Sequence, residues 1–198
     1  MITLDLATLN PAVLVVDMQA AFVSPDGPFA NATAQPLIDA LNPFLAGCRS
    51  RGLPVIFSNY LLRADLGDAG LLRGSPAAAH LTESSPWAGV DPRIEQAETD
   101  LDVRHSRPSA LFRSELVAVL DDLGADALIL TGVSVNNAIS STARDAFARD
   151  IPALVVRDCV GATPWEPAEL HASYFATLAT WTAEVADAAD VLERLDAR

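Results

Sequence analysis

Short apolar runs alternate along this chain with longer segments in which apolar residues recur every three or four positions. An unbroken apolar run of four to eight residues is typical of a strand buried on both faces, and the three-to-four spacing is typical of an amphipathic helix. The runs that predict strands cover residues 12–17, 53–58, 101–105, 127–133, 152–158 and, more weakly, 184–186.

The segments with helical spacing fall between these runs. They cover residues 36–51, 113–123, 137–149, 167–178 and a final stretch through 191–195. Gly52 and Gly124 follow the first two, and glycine ends a helix readily because it tolerates the left-handed conformation. Residues 60–100 have no long period and are rich in Gly, Pro, Ala and Ser, which predicts either a lid-like excursion or short helices.

This alternation predicts an α/β fold. We expect one domain over residues 1–198, with a doubly wound (Rossmann-like) parallel sheet of about six strands and helices on both faces. Ligands of such sheets bind beyond the carboxyl ends of the strands, near the switch in strand order. The residues that leave those ends, and can converge on one pocket, are Asp17, 58–60, His105 and the turn 132–138.

Composition narrows the classes of partner and of chemistry. The formal charge of −13 argues against nucleic acid and anionic membranes as partners, and an anionic ligand would need local arginines. The chain has no lysine, which excludes Schiff-base chemistry and a lysine general base. We therefore expect a small-molecule substrate and no cofactor.

Cysteine usage and the N-terminus favour a cytoplasmic location. Cys48 and Cys159 are far apart and lack metal-ligand spacing, so reduced thiols are favoured over a disulfide framework. The sequence begins without a basic segment followed by an apolar one, and no apolar run approaches the length of a membrane span. His80 and His171 have no partners at ligand spacing, so a metal site is not expected.

Three motifs, in order and at matching spacing, resemble the isochorismatase-like (cysteine hydrolase) superfamily. They are Val15-Val-Asp-Met-Gln19, then Arg104-His-Ser-Arg-Pro-Ser-Ala-Leu111, and then Gly132-Val-Ser-Val-Asn-Asn-Ala138 before Thr142-Ala-Arg-Asp-Ala146. The resemblance extends from about Ala12 to Asp158. It also implies a cis peptide at Val133–Ser134 and a homo-oligomer, a dimer or a tetramer.

The resemblance assigns three catalytic positions, and this chain retains one of them. Most amidases of the superfamily use an aspartate, a lysine and a cysteine, and the corresponding positions are Asp17, His105 and Ala138. An alanine cannot attack a carbonyl, so the covalent mechanism has lost its nucleophile. Ser140 and Ser141 lie further along the helix with their side chains directed elsewhere, and both cysteines are expected in the core.

A branch of the same superfamily, the isochorismatases, also lacks the cysteine and hydrolyses a vinyl ether. In that branch an aspartic acid protonates the enol ether and water adds to the oxocarbenium ion. The resemblance therefore implies that Asp17 is the general acid. A carboxyl at a buried strand end is desolvated, which keeps a proton available for transfer near neutral pH. His105 would position water or an anionic group.

The remaining candidate residues are predicted to bind substrate. Arg107 can supply positive charge, as can Arg63 or Arg73, and one of two asparagines is expected to cap the helix that follows the turn. The predicted substrate-binding set is Gln19, Phe22, Tyr60, Trp87, Arg107, Ser134, Asn136, Asn137 and Ala138.

Three functions remain open at this point. The first is a hydrolase with non-covalent acid–base catalysis on a vinyl ether such as isochorismate or an amino analogue, in secondary metabolism. The second is a catalytically silent member that binds a ligand or partner, which the loss of cysteine and lysine favours. The third is an enzyme of altered chemistry that uses Asp17 and His105 as an acid–base pair.

Overall fold

A six-stranded, fully parallel sheet forms the centre of the molecule, in the strand order β3-β2-β1-β4-β5-β6. The computed structural model describes residues 2–165 and 167–197, without the side chains of residues 168 and 169. The strands are β1 Pro11–Val16, β2 Val55–Tyr60, β3 Leu101–His105, β4 Ala127–Val133, β5 Ala153–Gly161 and β6 Glu184–Ala186. The doubly wound α/β fold predicted from the sequence is confirmed.

Helices cover both faces of the sheet. They are α1 Ala20–Val23, α2 Ala34–Ser50, α3 Ala77–His80, α4 Leu116–Leu123, α5 Ser140–Phe147, α6 Ala168–Trp181 and α7 Ala188–Leu195, with a 3₁₀ turn at Gly70–Gly74 and a π-helical turn at Val135–Ile139. Buried side chains of α2 and α7 pack on one face, and those of α4, α5 and α6 pack on the other. No helix among the described residues is both long and apolar enough to cross a membrane.

Several element boundaries differ from the prediction for local reasons. β2 begins after Pro54, which has no N–H to donate, and ends at Tyr60. α4 begins at Leu116 instead of 113, because Arg113 has a φ of 51° that a right-handed helix cannot use. Residues 60–100 form the short helices that were one of the two expectations.

The aromatic residues near the C-terminus divide between core and surface. Phe175 is buried against the sheet, whereas the side chains of Trp165 and Trp181 are 68% and 75% exposed. A homo-oligomer stays a prediction.

The strand-order switch brings the backbones of β1 and β4 unusually close. Gly132 pairs with Val16 across this junction and has a φ of 103°. A Cβ at Gly132 would lie 2.0 Å from the carbonyl oxygen of Val16. Glycine is therefore required here both for its backbone conformation and for the missing side chain.

We predict that Gly132→Ala destabilises the protein by about 3 kcal/mol or more, because strain and a backbone clash act together. Chemical denaturation measures the change. Gly74→Ala is the control, since a Cβ at Gly74 meets nothing within 4 Å, and it should change stability by less than about 0.5 kcal/mol. Equal losses of stability in Gly132→Ala and Gly74→Ala would contradict the requirement for glycine at position 132.

Candidate active site

Asp17 follows β1 immediately, at the switch in strand order. Its backbone has a φ of 55°, a conformation that non-glycine residues adopt rarely and that is concentrated at functional sites. The Asp17 N–H donates to the carbonyl of Ser58 at 2.8 Å, which ties this strained residue to β2. Its side chain is almost fully buried and yet lines a cavity. The fold therefore holds one carboxyl group in a fixed position at the sheet edge.

His105 ends β3 and lies behind Asp17. Its Nε2 is 2.9 Å from Oδ1 of Asp17, and its Nδ1 is 2.6 Å from the carbonyl oxygen of Arg107. A carbonyl can only accept a hydrogen bond, so Nδ1 must carry a proton. The Nε2–Oδ1 contact then holds one further proton, either as imidazolium with carboxylate or as neutral imidazole with carboxylic acid. Both arrangements leave the pair with no net charge.

The surroundings of His105 favour the imidazolium form. Burial lowers the pKa of His105, but the charge of Asp17, the hydrogen bond to Asp17 and the carbonyl of Arg107 outweigh it, so the pKa lies above the ordinary 6.5. A proton can pass between the two side chains along one hydrogen bond.

A cavity of about 460 Å³ lies beyond the carboxyl ends of the strands, with Asp17 in its wall. Most of the wall is apolar, and such cavities suit small organic ligands. The apolar and aromatic side chains of the wall include Phe22, Phe29, Tyr60, Leu71, Leu72, Leu81, Val133 and Trp165. Among the described residues, Asp17 is the one carboxylate in this wall.

Arg107 is the cationic group of the same wall. Its guanidinium donates to the carbonyl oxygens of Asp68 and Ser106, and it forms no ion pair with a carboxylate in the part of the chain that the structure describes. A Cβ at Gly70 would lie 2.7 Å from Nη2 of Arg107, so this glycine leaves room for the guanidinium. The positive charge of Arg107 is therefore available to an anionic group in the cavity.

The hydroxyl groups of Ser134 and Tyr60, which line the cavity, are not activated as nucleophiles. Ser134 donates through Oγ to the amide oxygen of Asn136 at 2.7 Å, and an amide oxygen is not a base that can accept the proton. Tyr60 donates its hydroxyl to the carbonyl of Ser106 at 3.1 Å, and burial raises the pKa of its phenol. A serine or tyrosine nucleophile would need an adjacent general base.

The two thiols of the chain lie outside the cavity. Cys48 and Cys159 are fully buried in the apolar core between α2 and the sheet. Burial raises the pKa of both thiols, that of Cys48 to about 12, which keeps them protonated and unreactive. Ala138, at the position that the resemblance assigns to a cysteine, does line the cavity.

The structure brings most of the predicted site residues together. Those that line the cavity are Asp17, Phe22, Tyr60, Arg107, Ser134, Asn137 and Ala138. His105 contacts Asp17 without being part of this wall, so it reaches the cavity through the carboxylate. The peptide between Val133 and Ser134 is cis, as the resemblance implied.

Other predicted residues lie elsewhere. Gln19 is fully buried and holds β2 in place, because its amide accepts from the N–H of Tyr60 at 2.7 Å and donates to the carbonyl of Ala88 at 2.8 Å. Trp87 packs against an apolar cluster that includes Tyr60 and Leu81, but it does not itself line the cavity. Asn136 supports Ser134 and donates to Thr163 at 3.3 Å.

The expected asparagine cap was wrong. Ser134 occupies the position before the π-helical turn, and no side chain makes a capping hydrogen bond there. Arg63 and Arg73 were alternatives for charge in the pocket, and neither lines this cavity. Arg73 donates instead to the carbonyl of Leu66.

Sequence reasoning missed the apolar side chains that form much of the cavity wall. Leu71, Leu72 and Leu81 come from the aperiodic segment 60–100, while Phe29 and Trp165 come from loops after α1 and β5. Large apolar residues in an aperiodic segment were the available signal. Phe29 meets Trp165 edge to face at 6.4 Å, so two remote loops close one side of the cavity.

No group of three or more His, Cys, Asp or Glu side chains among the described residues is close enough to hold a metal ion.

Comparison with known proteins places these features in a family. A family model described as the isochorismatase domain matches residues 11–190. N-carbamoylsarcosine amidase of an Arthrobacter species is 26% identical over 157 residues, which are 77% of this chain and 60% of that protein. Maleamate amidohydrolase of Pseudomonas putida is 26% identical over 164 residues, which are 82% of this chain and 77% of that protein.

A solved structure has the same fold over nearly the whole chain. The cysteine hydrolase from Pseudomonas syringae pv. phaseolicola superposes with a TM-score of 0.90 at 24% identity, covering 99% of this chain and 96% of the other.

We predict that Asp17→Asn lowers the pKa of His105, because the asparagine removes the charge that favours imidazolium. NMR titration of the ring resonances measures this, and the chain has three histidines to assign.

The pKa of His105 is higher in the folded protein than in the unfolded chain. The pair therefore stabilises the fold fully below about pH 6.5, and this stabilisation is lost as the pH rises through the pKa of His105 in the folded protein.

The wild-type protein should therefore have a higher free energy of unfolding than Asp17→Asn, and this difference should be larger at pH 6 than at pH 9, by on the order of 1 kcal/mol. Urea denaturation at the two pH values measures the difference. A difference that widens with rising pH would show that the imidazolium–carboxylate assignment is incorrect.

We also predict that iodoacetamide leaves the native wild-type protein unlabelled at pH 8, because both thiols are buried and protonated. Ala138→Cys should introduce one labelled thiol, identified by peptide mass spectrometry. As a control, all thiols of the wild-type protein and of Ala138→Cys should be labelled in denaturant. Rapid labelling of Cys48 or Cys159 in the native wild-type protein would contradict their placement in the core.

Proposed function

This chain belongs to the isochorismatase family of hydrolases, and we propose that it hydrolyses a small molecule without a covalent intermediate, with Asp17 as the general acid. The observation that carries the proposal is the buried Asp17–His105 pair, whose carboxyl group lies in the wall of an apolar cavity that holds no thiol among its described lining residues. Water is then the nucleophile.

We assign the two members of the pair different tasks. Asp17 contacts the substrate and transfers the proton, while His105 lies behind it and supplies or accepts that proton along the Nε2–Oδ1 bond. After the transfer the pair holds one proton fewer, and it regains that proton when water attacks. The carbonyl of Arg107 fixes the orientation of the imidazole ring through Nδ1.

A vinyl ether such as isochorismate, or an amino analogue, is the substrate that we propose. A proton from Asp17 adds to the terminal carbon of the enol ether, and the positive charge that develops is shared with the ether oxygen. Water then attacks the oxocarbenium carbon and returns a proton to the Asp17 carboxylate. The resulting hemiketal breaks its carbon–oxygen bond to give a ketone and an alcohol, so the enzyme ends in its starting protonation state.

Two features of the cavity support this substrate class. An oxocarbenium ion is positively charged, and the carboxylate of Asp17 can stabilise it at close range in an apolar surrounding. The guanidinium of Arg107, which lacks a carboxylate partner among the described residues, can bind an anionic group of the substrate. We also propose that the reaction belongs to secondary metabolism, and this part of the proposal is based only on the resemblance to the isochorismatases.

A catalytically silent, ligand-binding member is the second candidate. Alanine and histidine at the positions of the superfamily's cysteine and lysine favour it. The strained and buried Asp17 favours the enzyme, because burial of a carboxyl group and a φ of 55° both destabilise the fold, and residues with such costs cluster at functional sites.

The test is turnover of isochorismate by the purified protein, followed by NMR identification of the products. We predict turnover by the wild-type protein and a loss of about 10²-fold or more in Asp17→Asn, the usual contribution of a general acid. Asp121→Asn, an exposed carboxylate on α4, is the control and should keep full activity.

The other outcomes separate the two candidates. Equal turnover by the wild-type protein and Asp17→Asn would reject Asp17 as the acid even with the correct substrate. Saturable binding of isochorismate without product would favour the silent binding protein.

A further inference from the structure

A second cavity, of about 360 Å³, has His105 but not Asp17 among its lining residues. Its wall is formed by the end of β3, the loop after β2 and the turn before α4. The lining residues are Leu61, Arg63, Gly67, Asp68, Arg104, His105, Ser106, Arg107, Phe112 and Arg113. The two cavities share Arg107 as a lining residue, whereas Asp17 belongs to the first cavity and His105 to the second.

The second cavity concentrates positive charge in an acidic protein. Four of the thirteen cationic side chains of the chain line it, although the net charge is −13. Asp68 is the one carboxylate among its described lining residues. That carboxylate accepts a hydrogen bond from the backbone N–H of Arg63 at 2.9 Å. An isolated cluster of this kind attracts anions more strongly than the rest of the surface, which repels them.

Two of these guanidinium groups have no carboxylate partner among the residues that the structure describes. Arg107 donates to backbone carbonyls, and Arg113 lies over the ring of Phe112 at 5.2 Å. The other two form exposed ion pairs, Arg63 with Asp65 and Arg104 with Glu83. Exposed pairs of this kind are weak, so an incoming anion can compete with them.

We propose that the second cavity binds a small tetrahedral oxyanion, a phosphate that is either free or esterified. Guanidinium groups present planar pairs of N–H donors that match the oxygen atoms of phosphate, and several of them around one cavity can neutralise more than one negative charge. The wall of the first cavity is mostly apolar and contains a single guanidinium group, so it does not offer several such donors. The anion site shares Arg107 with the proposed hydrolytic site, but its other three arginines line the second cavity alone and do not depend on the hydrolytic chemistry.

The experiment titrates inorganic phosphate and phenyl phosphate, in parallel, into the full-length protein at low ionic strength. Isothermal titration calorimetry measures affinity, and the ring resonances of His105 report binding at the cavity wall. We expect saturable binding with a Kd in the millimolar range or tighter, weakening as salt is added. Tighter binding of phenyl phosphate would identify an esterified phosphate as the ligand, and tighter binding of inorganic phosphate would identify the free anion.

Charge-removing variants localise the site. Arg113→Gln and Arg63→Gln should each weaken phosphate binding by about tenfold, as expected for the loss of a charged hydrogen-bond donor. Arg157→Gln removes an equal charge from an exposed ion pair on β5 and should change the affinity by less than about twofold. Arg107 is not a suitable test position because it also lines the first cavity.

Two results would overturn the proposal. One is the absence of saturable binding of either compound below about 10 mM. The other is equal weakening by Arg157→Gln and Arg113→Gln, which would indicate a general effect of net charge. Phosphate binding is measured without any substrate of the hydrolase, so failure of the proposed hydrolase would leave this test intact.

Discussion

The hydrogen bond between Asp17 and His105 joins residues that are 88 positions apart and that follow or end strands on either side of β2. It forms because the carboxyl ends of parallel strands meet at one edge of the sheet, and because the order of strands reverses beside β1. Through this contact, the carboxyl group in the wall of the first cavity is bonded to a residue that lines the second.

The pair also explains how the molecule tolerates two ionisable groups at a buried position. An isolated buried charge is strongly unfavourable, whereas an imidazolium–carboxylate pair with a further bond to the Arg107 carbonyl has each charge partnered. A lysine at position 105 would be a permanent cation. Histidine instead allows the proton to move toward Asp17, and this difference fits catalysis by proton transfer better than assistance to a covalent nucleophile.

Arginine supplies all thirteen basic side chains of the chain, and their distribution divides the site region into two environments. The first cavity is largely apolar and is reached by a single guanidinium, whereas the second is surrounded by four. Charge, more than shape, distinguishes what each cavity can bind.

The sequence alone determined the class of fold, since buried parallel strands are apolar throughout and the helices between them have a different period. It also identified Asp17, His105 and Ala138 through motifs whose spacing follows the strand ends. Tertiary structure decided how these residues meet. Strand register determines that His105 contacts Asp17 directly, that His105 lies behind the carboxylate, and that the backbone of Asp17 is left-handed. The walls built by Leu71, Leu81 and Trp165 come from segments without periodicity, and only long-range packing places such segments.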